Sequence, residues 1–191
     1  MRMWVFLSAG IGLAAATGAA QAQHREAGAH EHGRGTLNIA IEDGRLSMEL
    51  EAPGADIVGF EHQAKTKAQK AAVEAAKKQL AAPQGLFELP AAAGCVLKEA
   101  KVAIEAEGDD HDGHDDKDHD SKAGNDDAHS AFRAEYAFEC KAPASIASIG
   151  FGYFKAFAGA QKLDVTVITP KQQNKFEATR AKPSIDLGGM M

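Results

Sequence analysis

Residues 36–42 read Thr-Leu-Asn-Ile-Ala-Ile-Glu and residues 45–51 read Arg-Leu-Ser-Met-Glu-Leu-Glu, so apolar and polar positions alternate with the period of two expected of half-buried strands. Asp43-Gly44 separates them, a pair suited to a two-residue hairpin turn. The pattern predicts a β-hairpin with Leu37, Ile39, Ile41, Leu46, Met48 and Leu50 on one buried face. After the Pro53-Gly54 break, the period changes. Residues 66–82 are rich in Ala, Lys, Gln and Glu, with Ala68, Ala72, Val73, Ala76 and Leu80 at helical spacing and Thr66 placed to cap the helix. Pro83-Gln84-Gly85 ends it. A third strand is expected over residues 95–107, with Val96, Val102 and Ile104 as its apolar positions. Beyond a polar loop the pattern predicts a strand over 132–140, a short helix over 143–157, and strands over 163–168 and 174–179. The fold class is therefore α+β, antiparallel hairpins with packed helices. The order of elements suggests two related halves, 23–107 and 129–191, joined by a loop at 108–128, although no residue-level repeat accompanies it.

The first 22 residues stand outside this pattern. Arg2 precedes an apolar run from Met3 to Ala16, and Ala20-Gln21-Ala22 forms a small-x-small cleavage site, so residues 1–22 read as a secretory signal peptide. The run is short for a bilayer span. Export to the periplasm follows as the expectation, with no membrane attachment after cleavage. In that compartment the two cysteines, Cys95 and Cys140, read first as a disulfide, with two unrelated thiols as the alternative.

Charge locates the chemistry. The formal net charge is -6, and segment 108–128 alone holds nine Asp against two Lys. The acidity thus belongs to one loop and not to the body, which favours a cation over nucleic acid as a partner. That loop also carries His111, His114 and His119, with His129 just after it, while His24, His30 and His32 cluster before the first strand. Imidazole nitrogen and carboxylate oxygen are zinc donors, and a polar Asp/His tract without apolar residues is expected to be disordered until metal binds. The alternative is a solvated linker.

Other motifs fail. Asp110-x-Asp112 lacks the later ligands and glycine of a calcium EF-hand, and His30-Glu31-His32 lacks the i, i+4 imidazole spacing of a zinc protease helix. No Gly-x-Ser-x-Gly or phosphate-binding glycine loop occurs. His62, in Val58-Gly59-Phe60-Glu61-His62, reads either as a loop ligand or as a histidine at a helix start bonded to backbone.

Several strings together resemble the ZrgA family of periplasmic, histidine-rich, zinc-regulated proteins. They are Glu31-His32-Gly33 leading into Leu37-Asn38-Ile39-Ala40-Ile41, Leu50-Glu51-Ala52-Pro53, the Gly59-Phe60-Glu61-His62 string, Lys70-Ala71-Ala72-Val73, Ala92-Ala93-Gly94-Cys95, and His129-Ser130-Ala131-Phe132-Arg133-Ala134-Glu135-Tyr136. The resemblance implies a non-enzymatic protein that binds Zn2+ and assists zinc uptake by passing ions toward an ABC-type importer and its solute-binding protein. It also moves His62 toward a ligand role. The expected ordered site comprises His32, His62 and His129, with Glu31 or Glu61 as a carboxylate ligand or partner, and with His30, His111, His114 and His119 adding weaker sites. Rival readings are a nickel or copper buffer, since imidazole suits these ions as well, a zinc hydrolase with an open coordination position, and a structural envelope protein with incidental histidines.

Overall fold

A computed structural model describes residues 31–106 and 129–191. Residues 1–22, expected to be a signal peptide, the expected disordered loop at 108–128 with His111, His114 and His119, and His24 and His30 lie outside the described residues.

The predicted hairpin is present as β1 (Arg34–Glu42) and β2 (Arg45–Pro53). Asp43 and Gly44 both take positive φ, 47° and 78°, as the two central positions of a type I′ turn require. All six predicted apolar positions are at most 2 % exposed. Two short elements then redirect the chain. Pro53 closes β2, helix α1 (Gly54–Val58) follows at once, and Gly59 ends it in the left-handed conformation at φ 85°. Helix α2 (Lys67–Leu80) is capped as the sequence predicts. Thr66 Oγ1 accepts the Gln69 N–H at 3.1 Å, and Gln69 Oε1 accepts the Thr66 N–H at 3.0 Å, forming a capping box. Its buried face is narrower than expected, because only Ala76 and Leu80 are buried while Ala68 and Ala72 are exposed. Alanine contributes little apolar area, so the C-terminal turn alone docks, where Tyr136 O–H donates to the Leu80 carbonyl at 2.9 Å.

The remaining elements are β3 (Phe87–Glu88), β4 (Cys95–Ala106), β5 (Ser130–Cys140), β6 (Ser148–Phe151), α3 (Tyr153–Ala156), β7 (Lys162–Ile168), β8 (Gln173–Thr179) and β9 (Ser184–Asp186). Six strands form one mixed sheet in the order β4-β5-β2-β1-β7-β8, and a small sheet of order β3-β6-β9 forms a second. The large sheet is antiparallel except where β1 meets β7, which run parallel. Strand β5, from beyond the acidic loop, lies between β4 and β2 from before it. One sheet therefore draws on both predicted halves. The core lies under its apolar face, where Phe87 meets Tyr136 edge-on at 5.5 Å and Tyr153 is fully buried.

Two sequence expectations need correction. The helix expected over 143–157 is instead a 3-10 turn (Pro143–Ser145), strand β6 and the single-turn α3. Ile149 and Phe151 alternate inward, and Gly150 and Gly152 weaken a helix across this segment. In β4, Val96 is 55 % exposed because the register shifts between Leu97 and Glu99. The bulge changes parity, so Leu97 packs on the core before it and Ala100 and Val102 after it. Cys95 and Cys140 face each other in the β4–β5 register and form the disulfide.

Candidate metal centre

Three chain segments meet at one end of the large sheet. His32 and Gly33 lead into β1, His129 leads into β5, and the register places Pro53, the last residue of β2, opposite Ala131. Strands β1 and β5 flank β2, so their starts are separated by two inter-strand spacings, about 10 Å. The turn of α1 carries the chain back over this edge and sets Glu61 between the two histidines. His32 Nε2 lies 3.1 Å from Glu61 Oε1, and His129 Nδ1 donates to Glu61 Oε2 at 2.5 Å. The Glu61 side chain is only 10 % exposed, whereas the imidazoles of His32 and His129 are 66 % and 62 % exposed. A sheltered carboxylate thus bridges two solvent-facing rings.

Backbone packing fixes α1 over the sheet edge. A Cβ at Gly54 would meet Phe60 O and Ser130 Oγ, each at 2.7 Å, and one at Gly159 would meet Asp56 Cα at 2.6 Å. Asp56, in α1, accepts the Gly33 N–H on Oδ1 at 2.7 Å and so ties α1 to the residue after His32. Gly159→Ala is expected to push α1 off this seat and to lower stability by about 1–3 kcal/mol. Urea unfolding checks this, and an unchanged midpoint would show the contact to be dispensable.

The two carboxylates are shifted in opposite directions. Burial raises Glu61, but the hydrogen bonds from His129 and His32 and their charges outweigh it and hold the group below its ordinary value of 4.5. Its stabilising contribution is complete above that value and is lost as pH falls through the lower folded value. Asp56 moves the other way. Burial raises it above 3.8, only partly offset by the Gly33 N–H and the His32 charge, and Glu61 raises it further. Its contribution is complete below 3.8 and is lost as pH rises through the folded value.

The other predicted residues go elsewhere. Glu31 Oε2 accepts from Arg34 at 3.0 Å. The His62 ring stacks on Phe60 with centroids 5.0 Å apart, its Nδ1 lies 3.0 Å from the Gln63 carbonyl, and its Nε2 lies 3.4 Å from the Gln69 amide. The carbonyl accepts from Nδ1, which leaves Nε2 as the acceptor of the pair. Sequence reasoning missed Asp56. A lone Asp after Pro53-Gly54-Ala55 reads as a turn residue, and nothing local signals that it is 3 % exposed.

Among the described residues, no group of three or more His, Cys, Asp or Glu side chains is already gathered to hold a metal ion. The donor chemistry nonetheless suits zinc. Two ligands on one tetrahedral zinc, with bonds near 2.0–2.2 Å, stand about 3.3 Å apart. The His32–Glu61 spacing of 3.1 Å is close to that distance, while the 2.5 Å contact to His129 has to widen by about 1 Å and the two rings, on different oxygens of Glu61, have to draw together.

Taken together, the chain is an α+β protein with one mixed sheet whose edge presents imidazole and carboxylate donors. It belongs to the ZrgA family: the family model described as ZrgA family zinc uptake protein matches residues 29–187, which include every residue of this edge. A role in zinc uptake follows, with zinc ions as the ligand. No curated protein matches the chain at a significant level. Among the described residues, no helix is long and apolar enough to cross a membrane.

Proposed function

We propose that this protein is a non-enzymatic zinc carrier of the periplasm, which captures Zn2+ at His32, Glu61 and His129 and delivers it toward the solute-binding protein of an ABC-type importer. The observation that supports this most is the Glu61 carboxylate, bridged by imidazoles from two different strand starts. In the metal-free protein those contacts hold the three donors near each other. Zinc takes the place of the shared protons, and the two rings, each on a different oxygen of Glu61, move toward each other to close on it. Both oxygens of Glu61 face imidazoles, which suits a ligand better than a general base. His30, His111, His114 and His119 add weaker sites that raise the local zinc concentration, and His62, turned toward Gln69, stands apart from the centre.

Calorimetric titration of the exported chain, with and without residues 109–128, tests the division of labour. Deleting the loop is expected to reduce the number of weak sites and to leave one tighter site in place. Loss of all binding on deletion would contradict an ordered centre. Affinity is expected to fall as pH drops below about 6.5, because protonated imidazole cannot ligate.

A further inference from the structure

We propose that Asp56 is a positioning residue of the same centre: it holds the His32–Gly33 turn through its bond to the Gly33 N–H and supplies a second, buried negative charge matched to a divalent cation. This rests on the proposed role of His32, Glu61 and His129 in zinc capture.

Asp56 is 3 % exposed, and its Oδ2 has no hydrogen-bond partner among the described residues. A desolvated carboxylate with half of its acceptor capacity unmet is destabilising unless something else requires its charge. The hydroxyl of Tyr153, also buried, likewise has no partner among the described residues, although the Asp56 charge acts on it. Folding therefore leaves Asp56 incompletely satisfied. Its single bond goes to Gly33, which sits at φ 84° beside His32, and its charge acts on both His32 and Glu61. Charge balance gives the reason. With neutral imidazoles, Zn2+ on Glu61 alone leaves the centre at +1, whereas Glu61 and Asp56 together bring it to zero. A partner of this kind orients a ligand and tunes the cation without touching it.

Asp56→Asn separates this role from a structural one, because the amide oxygen still accepts from Gly33 while the charge is gone. The expected result is a melting temperature unchanged or raised, together with a zinc affinity weakened by about ten- to a hundredfold, measured with Zn2+ alone by competition against a chelating dye. A structural residue would not move stability and affinity in opposite directions. The Gly33 amide resonance, kept near its wild-type position, reports that the turn is intact. An unchanged affinity overturns the inference, and so does a variant that melts lower or does not fold. Glu61→Gln is run alongside. If that change abolishes tight binding while Asp56→Asn leaves it intact, only the role of Asp56 fails. If neither change affects binding, the centre itself fails.

Discussion

Glu61→Gln should remove the tight zinc site, weakening it by more than about a hundredfold, while the fold persists. The glutamine keeps the volume and one acceptor oxygen but loses the charge that both imidazoles share. A neutral amide is a poor zinc donor, and the two rings lose the group that holds them near each other. Stability should change little at neutral pH, since the imidazoles are largely exposed and exposed ion pairs contribute roughly 0–1 kcal/mol. Chelator competition on the wild type and the variant measures the effect. Retention of wild-type affinity would exclude Glu61 from the centre.

The second large effect concerns the disulfide. Cys95 and Cys140 are separated by 45 residues, and cross-linking a loop of that length stabilises by about 4 kcal/mol in the chain-entropy treatment. Replacing both cysteines with alanine should therefore lower the urea midpoint strongly, and reductant should do the same to the wild type. A midpoint insensitive to reductant would refute this. Zinc binding should survive as long as the chain stays folded. Strand β5 has 11 residues, Ser130–Cys140, so the bridge lies about 36 Å along the strand from His129. The disulfide secures the far end of the β4–β5 pair, while His32, Glu61 and His129 lie at the end from which the acidic loop leaves.

Much of the sheet was legible because its strands carry strict alternation. Leu37 to Leu50 declared both the hairpin and its buried face, and Thr66 marked the start of α2. What stayed hidden depended on partners distant in sequence. Nothing in Leu163–Ile168 shows that it lies parallel to β1, and nothing in Phe132–Cys140 shows that it inserts between β4 and β2. The segment 143–157 misled because its apolar residues are consistent with a helix, whereas Gly150 and Gly152 and contacts with β3 and β9 select a strand. Val96 misled because a one-residue bulge reverses every side chain before it.

The site divides along the same line. His32, His62 and His129 stood out by residue type and by their places beside predicted elements, with Glu31 or Glu61 as the expected carboxylate, and it is Glu61 that lies between His32 and His129. Their meeting depends on a five-residue helix seated against Gly159 and Ser130, which no periodicity reports. Asp56 was invisible for the same reason, since its importance comes from burial produced by three separate segments. His62, beside Glu61 in sequence, turns instead toward Phe60, Gln63 and Gln69.

The joint hold of His32 and His129 on one zinc ion across Glu61 is the core of the proposed function. Its most direct test follows the imidazole nitrogen resonances of both rings while one equivalent of Zn2+ is added to the metal-free chain. Both are expected to shift together and to saturate at that first equivalent. Full uptake of the ion with both rings unmoved, and all changes confined to other histidines, would contradict it.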